Sequence, residues 1–378
     1  MKCLKGAKVI LKDRVADNLN VYFDEKIRAI STEQPDDSCE IIECNGLYLS
    51  PGFIDVHTHG YANIDVADAD YEGIKTIAHR LPENGITAFY PTSLTAPMDE
   101  IYKIFEIMRK LIPESKSWNG AEIMGLHAEG PFLNVKKKGA HEADLIIPPS
   151  VEAIEEYADV VKLITIAPEM DNNFENIKKM KELGIVVSLG HSDADFETAV
   201  ASFTDGGIHH VTHLFNAQTG LLHRDPGVVG AALVSDVYTE LICDTFHVSK
   251  HLYPLIHKMK GDKLCIVTDC LRAGGMPDGR YMLGGLAFNL QGIKCTLDNG
   301  TIAGSVLRMN YGVKNYYENS GCTLWEAVNA ASLNPAKSLG IDKEKGSIEI
   351  TKDADFTLFD SDFSIKMTIV GGKTCYEA

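Results

Sequence analysis

Two histidines one residue apart close a short apolar run in PGFIDVHTHG, residues 51–60. Residues i and i+2 of an extended strand face the same side, so His57 and His59 are able to aim both imidazoles at one point, as metal ligands do. The pair alone decides nothing, because histidines in a chain of 378 residues are more often at the surface or hydrogen-bonded in the core. Partners elsewhere in the sequence have to decide.

HAEGPF (127–132) places Glu129 at the end of another apolar run, ahead of the turn formers Gly130 and Pro131. As an ordinary structural residue Glu129 would cap a helix or pair with a lysine, but an acid at a buried strand end costs desolvation unless it is paired or bound to a cation. His127, two residues earlier on the same face, reads equally as a ligand and as a residue that packs behind one. GHSDA (190–194) and THLFNA (212–217) bring His191 and His213 to strand ends. Singly each reads as a loop histidine; with Glu129 they form two imidazoles and a carboxylate, a set that leaves a position open for water. His209 and His210, at or before the start of the run that holds His213, read as packing or surface residues.

TDC (268–270) ends a further run with Asp269, which is either a cap or a group that takes a proton from metal-activated water. In KKKGAH (136–141) the lysines read as a solvated loop tip, and His141 is placed to approach a ligand. Arg224 in LLHRDPG (221–227) is either an exposed surface residue or an anchor for phosphate or carboxylate.

Eight short apolar runs position these residues: FIDVH (53–57), ITAFYPT (86–92), IMGLHAEG (123–130), VKLITIAPE (161–169), IVVSLGH (185–191), HVTHLF (210–215), ELICDTFH (240–247) and LCIVTD (264–269). Helical patterns such as DEIYKIFEIMRKL and FENIKKMKELG fill the gaps. Short, even, buried runs alternating with helices predict a parallel (β/α)8 barrel in preference to an open doubly wound sheet. His57, Glu129, His191, His213, His247 and Asp269 fall at or near the C-terminal ends of these runs, and such ends converge on the barrel mouth. Residues 1–50 (AKVIL, NVYF, IRAIS, EIIEC, LYLS) and the tail (GSIEI, DFTLFD, MTIVGG) are β-rich, and predict one small β-domain built from both ends. The expected division is 1–50 plus 341–378 for that domain and 51–340 for the barrel.

Lys and Arg total 36 against 53 Asp and Glu, a net charge of −17, which argues against nucleic acid or an anionic membrane as partner and obliges an anionic substrate to find a local basic pocket. Nine cysteines without a CxxC pair, and a first segment MKCLKGAKVILK without a long apolar stretch, fit a reduced, cytoplasmic setting. GxGxxG, Walker A and GxSxG patterns are absent; GGKT (371–374) lacks the spacing for a phosphate loop.

In order, PGFIDVHTHG, GLHAEGPFLN, KGAH, LGHSDA, THLFNA, R-x-PG, FHV and TD resemble the amidohydrolase superfamily across nearly the whole chain. HAEGPF, KGAH and THLFNA look like its branch that deacetylates phosphorylated N-acetylamino sugars. The resemblance implies a (β/α)8 metal-dependent hydrolase barrel with a small β-sandwich, usually a homodimer, acting on N-acetyl-D-glucosamine 6-phosphate. It implies metal ligation by Glu129, His191 and His213, with His57 and His59 for a second divalent ion (Zn, Fe, Mn or Co), and Asp269 as general acid/base. Substrate contacts carried over are Ala140, His141, Asn216, Ala217, Arg224, Asp244, His247, Ile302, Ala303 and Gly304, with Arg224 and His247 on the phosphate. Other expectations to be weighed are the galactosamine epimer or another amide as substrate, and a barrel that has lost catalysis.

Overall fold

The computed structural model describes residues 1–34 and 39–378. Its centre is a barrel of eight parallel strands: β1 (Phe53–Thr58), β2 (Ile86–Ser93), β3 (Leu126–Glu129), β4 (Val161–Ile166), β5 (Val186–Leu189), β6 (His210–Val211), β7 (Tyr238–Ile242) and β8 (Leu264–Val267). Each pairs with the next in chain order, and all eight fall on the apolar runs read from the sequence. The seam between β8 and β1 closes beyond the end of β8: the Asp269 N–H donates to the His57 carbonyl at 2.8 Å and the His59 N–H to that of Cys270 at 2.8 Å. The seam therefore fixes Asp269 beside the HxH pair.

Helices wrap the outside because their apolar residues recur every three to four positions. In α1 (Met98–Ser115) Ile101, Ile104, Phe105, Met108 and Leu111 form one buried stripe, with Asp99 and Glu100 in the first turn where the helix dipole favours acids. They pack with Phe89, Ile164, Val187 and Ile266 in the main core. No α-helix follows β3; residues 130–160 run instead as a long loop with short 3-10 turns, Val135–Lys137, Ala143–Leu145 and Glu155–Tyr157. That loop folds back over the mouth and carries KKKGAH.

Strands from both ends share one six-stranded sheet, in which Phe356–Phe359 pairs antiparallel with Tyr48–Pro51, and a four-stranded sheet of Lys2–Lys5, Asn20–Phe23, Ile27–Ser31 and Glu40–Glu43 lies with it. Their shared core holds Val9, Val21, Phe23, Leu49, Phe356, Leu358 and Ile369, with the Phe23 and Phe356 rings edge to face at 5.2 Å. GSIEI, expected as a strand, forms none. An ionic clamp bends the chain there: buried Lys345 reaches Glu122, Asp355 and Asp353 at 2.7, 2.7 and 2.9 Å, Gly346 takes φ +89°, and Lys352 donates back to Ser347.

A further antiparallel sheet, Gly279–Leu283, Leu286–Gln291 and Lys294–Leu297, interrupts the connection after β8. It was not anticipated, although GRYMLGGLAFNLQGIKCTL shows β-residues broken by Gly-Gly and Gln-Gly turn signals.

Candidate metal centre and substrate cavity

At the barrel mouth the Nε2 atoms of five histidines converge on one carboxylate, His141 at 3.5 Å from Glu129 Oε2 among them. Glu129 Oε1 lies 2.9 Å from His213, 3.1 Å from His191 and 3.6 Å from His57, while Oε2 lies 3.1 Å from His59. Asp269 Oδ1 faces the other side of the pair, 3.3 Å from His59 Nε2 and 3.5 Å from His57 Nε2. Two adjacent sets at the mouth result, Glu129 with His191 and His213, and His57 with His59 and Asp269; a third group, His57 with His127 and Glu240, lies beneath them and shares His57 with the second. Asp269, His191 and His213 hold φ values of +48°, +48° and +25°, a left-handed conformation uncommon outside glycine that concentrates at functional sites.

The far ring nitrogens fix the tautomers. His59 Nδ1–H donates to the Thr92 carbonyl at 3.1 Å, His191 Nδ1–H to that of Lys137 at 2.8 Å, and His57 Nδ1–H to Glu240 Oε2 at 2.9 Å. Each therefore turns Nε2 inward at the carboxylates, and a cation bound there would take the place of the Nε2 proton, as in metal-ligating imidazoles. His141 is wired the other way: Thr95 donates to its Nδ1 from Oγ1 at 2.8 Å and from its backbone N–H at 3.3 Å, so Nε2 carries the proton and points inward as a donor. Burial pushes His141 down to about 4, keeping it neutral.

Glu129, Glu240 and Asp269 are buried, and among the described residues no Lys or Arg forms an ion pair with any of them. Burial opposes the charge of Glu129, but His57 and hydrogen bonds from His141, His191 and His213 hold it well below the usual carboxylate range. Burial opposes protonation of His59, yet Asp269 and Glu129 raise it to about 9. A buried site this rich in carboxylate, with imidazole Nε2 atoms turned inward, has the donor set of a divalent cation.

Above it lies a cavity of about 380 Å3. Of the residues expected to touch substrate, Ala140, His141, Asn216, Ala217, His247, Ile302, Ala303 and Gly304 line it. Asp244 stands behind: its Oδ2 accepts His247 Nδ1–H at 2.6 Å and its Oδ1 the backbone N–H groups of Phe246 and His247, each at 2.8 Å, so it orients the ring. Arg224 lies outside the lining, on the exposed segment 221–225.

The lysine loop matches its reading as a solvated tip at Lys136, whose side chain is exposed, and differs at Lys137 and Lys138. Lys136 and Lys137 line the cavity, Lys136 pairing with Asp193 at 2.8 Å, and Lys138 donates to the His141 carbonyl at 3.0 Å. Folding this loop across the mouth, in place of a helix, brings Lys137 to the cavity wall, half-buried, while the Lys136 side chain stays exposed. His127 is engaged at both nitrogens, to the Val56 carbonyl at 3.1 Å and Thr165 Oγ1 at 2.8 Å, and so packs beneath the site. His210 is buried against Ser188. Glu240, Thr92 and Thr95 had not been singled out; an acid inside the apolar run ELICD was the available signal for Glu240.

The chain belongs to the amidohydrolase family, whose model matches residues 48–375. No helix among the described residues is long and apolar enough to cross a membrane. Within the family its full-length relatives include N-acetylglucosamine-6-phosphate deacetylases: that of Bacillus subtilis (strain 168) is 37% identical over 99% of this chain and 96% of its own length. The crystal structure of the Pasteurella multocida enzyme of that name superposes with a TM-score of 0.95 at 33% identity, each chain covered in full. A Mycobacterium smegmatis enzyme of the same name, solved as a mutant in complex with N-acetyl-D-glucosamine-6-phosphate, matches with a TM-score of 0.92 at 25% identity over 99% of both chains.

Proposed function

We propose that this chain hydrolyses the acetamide of N-acetyl-D-glucosamine 6-phosphate to D-glucosamine 6-phosphate and acetate. The observation that carries this reading is the convergence of Glu129, His191 and His213 opposite Asp269 at the floor of a cavity rimmed by His141 and His247.

Glu129, His191 and His213 would hold one divalent ion, and His57 and His59, with Glu129 between the sets, a second; zinc, iron, manganese or cobalt suits such ligands. A bound ion supplies acidified water, lowering its pKa from 15.7 toward about 7. His141, neutral and protonated at Nε2, donates to the acetyl oxygen and stabilises charge developing there as hydroxide adds to the carbonyl carbon. Asp269 takes the proton from water and delivers it to the sugar nitrogen as the C–N bond breaks, so the amine leaves neutral. Ala140, Asn216, Ala217 and the Ile302–Gly304 segment enclose the sugar.

His247, oriented by Asp244, and Arg224 would anchor the phosphate, which answers how a chain of net charge −17 takes an anionic substrate. The exposed position of Arg224 fits an anchor that reaches a neighbouring subunit's cavity in a homodimer. A cytoplasmic setting fits the nine unpaired cysteines. Turnover should be compared on the gluco and galacto 6-phosphates and on N-acetylglucosamine without phosphate. Preference for the gluco 6-phosphate supports the assignment; equal kcat/KM on the unphosphorylated sugar overturns the phosphate site.

A further inference from the structure

Glu240 sits within β7 and is completely buried. Moving a carboxylate into a barrel interior is costly, and among the described residues the cationic partners within ion-pair reach are histidines alone: His57 Nδ1 at 2.9 Å and His210 Nδ1 at 3.8 Å. Oε2 also accepts the backbone N–H of His213 at 3.1 Å, whereas Oε1 has no hydrogen-bond partner among the described residues. Its attachment to the site is thus lopsided. It meets the His57 ring directly, and the other ligand set only through backbone.

The remaining inward-facing histidines are backed differently. His59 and His191 donate to neutral carbonyls, and His213 Nδ1 has no partner among the described residues. An anionic acceptor behind an imidazole fixes its tautomer and raises the basicity of its opposite nitrogen more than a neutral carbonyl does. Positive charge at His57 Nε2 would in turn compensate the buried Glu240 carboxylate through one imidazole.

We infer that Glu240 is the positioning residue of the His57–His59 half of the centre: its carboxylate makes His57 the strongest imidazole donor and sets the affinity for the second ion, leaving the Glu129–His191–His213 ion largely unaffected. This rests on the two-ion reading above.

The test is a Zn2+ titration of the metal-free full-length chain by calorimetry, for the unaltered protein, Glu240→Gln and His59→Gln. His59→Gln identifies which binding phase belongs to the His57–His59 half. Glutamine keeps the shape and can accept the same N–H groups through its carbonyl, and the thermal transition of the metal-free variant checks that the barrel is intact. The expected result is two ions per unaltered chain, and in Glu240→Gln a second phase weakened about 10- to 100-fold with the first changed less than about threefold. Two phases of unchanged affinity in Glu240→Gln overturn the role of Glu240 alone. Equal weakening of both phases also overturns it, since that marks a brace acting through the His213 backbone. One ion per unaltered chain overturns the two-ion reading itself.

Discussion

Replacing Asp269 by asparagine removes the proton acceptor while leaving its setting in place. The local backbone is held by main-chain bonds, Asp269 N–H to the His57 carbonyl at 2.8 Å and Ser305 N–H to the Asp269 carbonyl at 2.9 Å, neither of which involves the side chain. Asparagine also tolerates the φ of +48° found there better than most residues. The fold should survive, and the amide oxygen can still face His59, now at 3.3 Å from Asp269 Oδ1. General acid–base catalysis contributes about 10^2–10^4 in rate, or roughly 3–5 kcal/mol of barrier, and here one residue performs both transfers. Asp269→Asn should therefore lower kcat for acetate release by at least about 10^2 with KM changed little. Metal content has to be measured on the same preparation, because Asp269 borders the His57–His59 set. A variant with full metal content and a kcat within about threefold of the parent would refute the proton-transfer role.

Arg224→Ala should raise KM for the 6-phosphate by about tenfold or more with kcat nearly unchanged, since a charge-assisted contact to the substrate is about 1.5–3 kcal/mol; steady-state kinetics with and without the phosphate checks this. Lys345→Met should cost about 3–5 kcal/mol by denaturant unfolding, because it leaves buried Asp355 without its cation and takes one of two from Glu122 and Asp353, which keep Lys116 and Lys26. Glu349 is held down at about 2 by Ser347, Lys12 and Lys352, so its stabilisation is present above about 4.5 and is lost as pH falls toward 2. Glu349→Gln should flatten the fall in thermal transition across that window relative to the parent.

The barrel was legible because each strand is a short run buried on both faces and bounded by polar residues, a pattern that survives without knowledge of neighbours. GSIEI has the same texture, but the Lys345 clamp decides its shape, closing a short loop onto Asp353 and Asp355 and reaching Glu122 more than two hundred positions earlier in the chain. The sheet after β8 has visible turn signals, but it lies beyond the eight runs, and short strands alone do not say what they pack against. Within the site, Glu129, His191, His213, His57, His59 and Asp269 were readable because strand ends converge in this fold. Lys136 and Lys137 were not, since a loop's direction across the mouth depends on contacts such as Lys136 with Asp193 that no periodicity encodes. Glu240 was hidden for a related reason: its partner His57 lies 183 residues away.

The central claim is that this barrel breaks an acetamide with metal-activated water. The direct measurement strips metal from the purified chain with a chelator, restores Zn2+, Fe2+, Mn2+ or Co2+ singly, and follows acetate and free amine from N-acetyl-D-glucosamine 6-phosphate. The account predicts negligible release from the stripped protein and, with at least one ion restored, acetate and glucosamine 6-phosphate in equal amounts. Full activity in the stripped chain, or none with any ion bound at the Glu129–His191–His213 set, would contradict it.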